Sequence, residues 1–175
     1  NQMMAVRLYV ANLRLDVSGE GYQPTGEFTH YGDPADPHDN SEMMDLLTGS
    51  LLCSDARLDE HTSEDGEESG NGRYRIVGDP TEGAMVVAAA KAGLWREDLE
   101  KRLPRVAEVP FDSDRKRMST IHRLDGRDKE RGGGAGYIAY VKGAPDVMLP
   151  LCDTLLENGV DIELTPGRRQ HIENT

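Results

Sequence analysis

The 175-residue chain predicts an α+β fold, an antiparallel twisted β-sheet flanked by helices. Between Arg105 and Lys142 three strand-like runs follow one another, joined by turn-rich segments rather than by helices, as antiparallel pairing allows. Before and after them lie segments of helical period, the clearest opened by a capping residue and closed by glycine. The size suits one domain over 1–175: 37% hydrophobic residues in a chain of this length suffice for a core.

Met4–Val10, rich in Val, Leu and Tyr, reads as a strand entered in mid-course, so the chain is expected to be a piece of something larger. Residues 18–38 are dense in Gly, Pro and Asp and predict turns around a short extended piece near Phe28. Ser41 is placed as the cap of a helix to about Cys53, with Met43, Met44, Leu47, Leu51 and Leu52 as its apolar stripe. Ser54–Gly72 holds seven acids against one arginine, and a mobile acidic loop is expected there.

The run RYRIVG is a short strand, and the helix after it carries full signals. Asp79 caps it, Pro80 takes the first turn, Glu82 sits three residues past the cap, and Gly93 ends it. A short helix follows from Arg96. Strands are predicted at Arg105–Phe111, Lys116–Leu124 and Gly136–Lys142, with Asp125–Gly136 as a hairpin loop between the last two. A helix over Ala144–Cys152 and another from about Thr165 complete the chain.

The formal charge of −12 argues against nucleic acid and anionic membrane surfaces as partners; any anionic ligand must be held by local cations. Cys53 and Cys152 form neither a disulfide framework nor a zinc pattern. The longest apolar block, AMVVAAA, is far below the roughly 18–20 residues that cross a bilayer. The five histidines show no metal-ligand spacing. The signatures G-x-x-x-x-G-K-[ST], G-x-G-x-x-G and G-x-S-x-G are absent, so no metal ligand and no catalytic residue is assigned.

Three segments each support two readings. In Asp79-Pro80-Thr81-Glu82, Glu82 either assists the helix cap or accepts a hydrogen bond from a ligand amine. In VPFDSDRKRMS, Asp112-Ser113-Asp114 form a turn between Phe111, ending one strand, and Lys116, beginning the next. Lys116 and Met118 would share one face, with Arg115 and Arg117 on the other. This is either a charged edge strand guarded against aggregation or a pocket for something flat and anionic. In YVKGAPD, Lys142 shares a face with Ile138 and Tyr140, and Gly143 admits a close backbone approach. It is either a solvated strand-to-helix turn or part of the same pocket.

In order, GDPTEGAM, VPFDSDRKRMS and YVKGAPDVML resemble the nucleotide-binding domain of P-type cation-transporting ATPases, nearest to the calcium-pump-like group, and the resemblance runs from residue 1 to about 170. It implies ATP as substrate, with Phe111 stacking on adenine and Glu82 meeting the adenine amino group. Lys142 and Gly143 would line the base pocket, Met118 its wall, and Lys116 would reach the phosphates. It implies Mg2+ arriving with the nucleotide and held mainly by other parts of the parent protein. The implied partners are phosphorylation, actuator and transmembrane domains, the domain itself being a cytoplasmic part of a membrane pump. The motif D-K-T-G-T-L-T, which carries that family's acceptor aspartate, is not among these residues, so the chain alone is not expected to turn over ATP. The alternative from another class is a non-enzymatic module that docks a basic partner through the acidic 54–72 loop.

Overall fold

The computed structural model describes residues 2–60, 74–124 and 136–174. It is a mixture of helices and antiparallel sheets, in two compact units, Asn1–Arg96 and Glu97–Thr175.

The first unit opens with a four-stranded antiparallel sheet of β1 (Arg7–Val10), β2 (Leu13–Val17), β3 (Phe28–His30) and β4 (Asp33–Pro34), ordered as in sequence. The predicted first strand thus begins three residues late. Two of its hairpins turn on residue pairs with positive φ, Ala11-Asn12 and Tyr31-Gly32, the two-residue geometry whose twist matches antiparallel strands. The Gly-rich 18–27 stretch is tied down by Lys91, whose ammonium donates to the Ser18 carbonyl at 2.6 Å; partial burial there lowers the lysine's pKa.

Helix α1 (Ser41–Leu52) buries Met43, Leu47, Leu51 and Leu52, with Met44 half-buried at the stripe's edge. Its cap is Asn40 and not Ser41: the Asn40 side chain accepts from the Met43 amide at 2.7 Å, while the Ser41 hydroxyl donates to Glu42. Asn40 has the extended backbone a cap requires and Ser41 is already helical. Of the 54–72 stretch, Arg57–Glu60 forms strand β5, paired antiparallel with β6 (Tyr74–Val77); residues 61–72 lie outside the described residues. With Leu58 as its one apolar residue the run carries no strand alternation, and only the pairing reveals it.

Helix α2 (Pro80–Lys91) follows its sequence signals. Asp79 accepts from the amides of Thr81 and Glu82, and Gly93, at φ +75°, closes the C-terminus. Gly83 faces β6 so closely that a Cβ would lie 2.7 Å from Ile76, which is why the helix approaches the hairpin there.

The second unit, preceded by the opening residue of α3 (Arg96–Arg102), holds a three-stranded antiparallel sheet in the order β7 (Arg105–Asp112), β8 (Arg117–Arg123) and β9 (Tyr137–Gly143). Met118, Thr120 and His122 of the central strand are buried on one face. His122 is fully enclosed: Nδ1–H donates to the Leu103 carbonyl at 2.8 Å, and Nε2 lies 3.1 Å from the Thr120 hydroxyl, whose proton it accepts. The predicted 144–152 helix is shorter, α4 (Pro145–Met148) continued by a 3₁₀ turn over Leu149–Leu151, because Pro150 has no N–H to extend the ladder. A hairpin of β10 (Thr154–Glu157) and β11 (Val160–Glu163) and helix α5 (Pro166–Glu173) end the chain, with Arg169 donating to the carbonyls of Leu149 and Cys152.

Asn40→Ala is expected to cost about 1 kcal/mol in urea unfolding, and Ser41→Ala less than about half of that. Equal losses would contradict the cap assignment.

Candidate functional site

Glu82 lies in the first unit, on the first turn of α2, half-buried. Its Oε2 accepts from the amides of Asp55 (2.7 Å) and Ala56 (2.9 Å). One carboxylate oxygen is therefore held by the backbone that leaves α1, while Asp79 caps the helix that carries it. Gly78, at φ +120°, makes this possible: a Cβ there would come 2.9 Å from Ala56 Cα.

The other five predicted site residues lie in the second unit. Phe111 stands in a bulge of β7. Val109 pairs with Ser119 and Asp112 with Arg117, so two residues, Pro110 and Phe111, oppose Met118 alone. Proline cannot donate to the ladder and is at home in such a bulge on an edge strand. Phe111 is 64% exposed, a large aromatic face left in solvent.

The turn after it differs from the predicted one. Lys116 is not the first residue of β8 and does not share a strand face with Met118. It is an exposed turn residue at φ +53°, and its amide donates to the Asp112 carbonyl at 2.6 Å. The cause is Asp112, whose Oδ1 takes the amides of Asp114 (2.9 Å) and Arg115 (2.8 Å) and winds the chain so that Lys116 must turn left-handed before Arg117 rejoins the ladder. Met118 is buried at 1% exposure, whereas Lys116 stands in solvent. Arg115 and Arg117 are half-buried; Arg115 reaches the Ser119 hydroxyl at 3.3 Å and Arg117 the Arg115 carbonyl.

β9 completes this group. Met118 pairs with Lys142 and Arg117 with Gly143, and Ile138, Tyr140 and Lys142, which share one face as the alternation predicts, lie on the same side of the sheet as their partners His122, Thr120 and Met118. The ring of Tyr140 meets that of His122 edge-on at 5.4 Å. Gly143 is hemmed in: a Cβ would lie 2.9 Å from the Lys116 carbonyl oxygen, 3.1 Å from Met148 Sδ and 3.2 Å from Arg117 Cβ. The second unit thus gathers an exposed aromatic, a solvent-facing lysine on a tight turn, and a second lysine on a neighbouring strand, which suits a ligand with a flat ring and negative charge. Two further residues shape the site without having been singled out from sequence. Asp112 was read only as a turn former. Arg96 was read only as a helix start, although its guanidinium donates to Leu51, Ser54 and Ala56 behind the Glu82 amides. Among the described residues no group of three or more His, Cys, Asp or Glu side chains is placed to hold a metal ion.

A family model described as "P-type ATPase, cytoplasmic domain N" matches residues 42–175. The chain is 35% identical to the cation-transporting ATPase pma1 of Synechocystis over 99% of its own length, and 38% identical to the probable cation-transporting ATPase F of Mycobacterium tuberculosis over 98%. It is 30% identical to a calcium-transporting ATPase of Bacillus subtilis over 99%. It spans 17–18% of the length of these relatives.

Gly143→Ala is expected to destabilise the fold by roughly 1–3 kcal/mol and to shift the amide resonances of Lys116 and Arg117, since the added carbon meets backbone. A variant of parental stability with those resonances in place would show that the β8–β9 end is looser than described.

Proposed function

The chain belongs to the P-type cation-transporting ATPases as their cytoplasmic N domain, and from that premise we propose that it binds ATP through its adenine end and presents the terminal phosphate to an aspartate carried elsewhere in the parent protein. The observation that carries this reading is Phe111, held in solvent by a bulge immediately before a turn bearing Lys116. An isolated exposed phenylalanine gains nothing by itself; a purine stacked on it gains roughly 1–3 kcal/mol.

In this reading Phe111 stacks on the base, and Lys142, with Gly143 beside it, lines the base pocket. Met118 forms part of its wall, packed from behind. Lys116 supplies a point charge to the phosphates on a flexible stem. Glu82 accepts from the adenine exocyclic amine; the carbonyl of guanine at the same place is itself an acceptor and would be repelled, so ATP is preferred to GTP. Mg2+ accompanies the phosphates as part of the substrate. Phosphoryl transfer is mostly positioning and charge stabilisation, so one domain can hold the nucleotide while a neighbouring one carries the nucleophile and a membrane domain the ion path. The parent is then an ATP-driven cation pump, and similarity to a calcium-transporting relative puts Ca2+ among its candidate cargoes.

Affinity is expected near millimolar, about 4 kcal/mol, since one stacked base and two lysines work against an acidic chain. Titration with ATP and with adenosine, followed by amide resonances, tests the division of roles. Phe111→Ala should lose both ligands. Lys116→Ala should weaken ATP severalfold and leave adenosine nearly unchanged. Undiminished ATP binding by Phe111→Ala would remove the stacking site.

A further inference from the structure

We propose that Arg96 is a positioning residue that sets the base preference of Glu82 through a single bridging peptide group. The proposal deepens the reading of Glu82 as acceptor for the adenine amine and rests on it.

The bridge is the peptide between Ser54 and Asp55. Its carbonyl accepts from Arg96 Nη2 at 2.9 Å, and its N–H donates to Glu82 Oε2 at 2.7 Å. A guanidinium and a carboxylate thus grip the two ends of one peptide dipole. A cation on the carbonyl oxygen polarises the group and makes its N–H a stronger donor, while the carboxylate on the N–H strengthens the carbonyl as acceptor. The same two side chains also hold the peptide groups on either side of Ala56: its amide donates to the same Glu82 oxygen at 2.9 Å, and its carbonyl, in the following peptide group, accepts from the same arginine nitrogen at 3.1 Å. A third bond from that nitrogen, to Leu51 at 3.1 Å, anchors the assembly to the last turn of α1. The segment has little room to drift, because Ser54 and Ala56 are fully buried and Gly78 packs against Ala56 Cα.

A glutamate on the first turn of a helix otherwise has three side-chain torsions with which to wander. Here the amides of Asp55 and Ala56 hold one of its oxygens, and Arg96 holds the carbonyls of Ser54 and Ala56. Loss of the arginine donors should free the carboxylate to miss an amine, or to tolerate a carbonyl, while leaving the stacking and phosphate residues in place. The effect therefore falls on discrimination between bases more than on affinity for nucleotide in general.

The test uses the 175-residue chain with ATP and GTP as their Mg2+ salts, in the parent, Glu82→Gln, Arg96→Met, Arg96→Lys and the Glu82→Gln/Arg96→Met double variant. The ratio of ATP to GTP affinity is read because partial unfolding lowers both and leaves their ratio unchanged. Arg96→Met is expected to lower the ratio about fivefold, towards that of Glu82→Gln. The double variant should fall no further than Glu82→Gln alone. Arg96→Lys, whose ammonium offers three donors to the three carbonyls, should recover most of the loss. Without any nucleotide, Arg96→Met should move the Asp55 amide proton upfield as its hydrogen bond weakens. If Glu82→Gln lowers the ratio and Arg96→Met leaves both the ratio and the Asp55 amide unchanged, the positioning role is wrong and the reading of Glu82 stands. If Glu82→Gln leaves the ratio unchanged, the reading of Glu82 fails and the proposal with it. Should the methionine variant not fold, Arg96→Gln, which keeps a donor without the charge, takes its place under the same outcomes.

Discussion

The backbone leaving α1 is the constraint on which the placement of Glu82 and Arg96 depends. A helix ends with carbonyls that have no partner within it, and this one ends among buried residues, Cys53, Ser54 and Ala56, where water does not serve them. With one nitrogen Arg96 answers the carbonyl of Leu51 in the last turn and those of Ser54 and Ala56 just beyond it, and Glu82 answers the amides of Asp55 and Ala56 with one oxygen. Each unpaired buried polar group would cost on the order of 1–3 kcal/mol, so the two side chains are held by the needs of the backbone before any ligand arrives. The glycines at 78 and 83 belong to the same solution, since a side chain at 78 would run into Ala56 and one at 83 would push α2 off Ile76 of β6.

The second unit solves a different problem with a central strand. β8 buries Met118, Thr120 and His122, and the polar members of that trio are admitted because the imidazole is bonded at both nitrogens. With that strand fixed, its two neighbours can be irregular. β7 carries a bulge at Pro110-Phe111, and the connection to β8 is drawn into a left-handed turn by Asp112. The consequence is a separation of tasks along a few residues: an aromatic turned to solvent, a lysine lifted off the ladder, and a methionine filling the core beneath. A regular hairpin would have put Lys116 and Met118 on one face, in one environment, and the lysine could not then stand in solvent while the methionine is buried.

Much of this was legible in the sequence. The cap, first-turn proline and terminal glycine of α2 announced it, and the strand alternation of residues 137–143 placed Lys142 beside Tyr140 and Ile138, where the structure has it. The hairpin at Thr154–Glu163 was also announced, by Asn158-Gly159, the pair best suited to two successive positive φ values, though no strands were predicted there. Other features were not legible for physical reasons. The cap of α1 went to Asn40 and not to its neighbour Ser41, a choice between two good cap residues that only backbone direction decides. Strand β5 has a composition that argues for solvent and is a strand because β6 pairs with it. The left-handed Lys116 depends on a side chain four residues earlier, and the arginine behind Glu82 acts over a sequence distance of forty residues or more through backbone groups that carry no residue identity.

The acidity of the chain sharpens the proposed function. At physiological ionic strength charges are screened over about 8 Å, so the bulk of the −12 charge is felt weakly by a phosphate already at the turn. What it meets there is Lys116 in solvent, with Arg115 and Arg117 beside it and Asp112 already occupied by two backbone amides. Attraction is local and repulsion diffuse, and such an arrangement permits binding without making it tight. For a domain whose proposed task is to carry a nucleotide to another domain and then let the spent product go, a shallow well is the useful one. A deeper well would be paid for twice, once in slower release and again as ground-state binding that leaves the chemical step no faster.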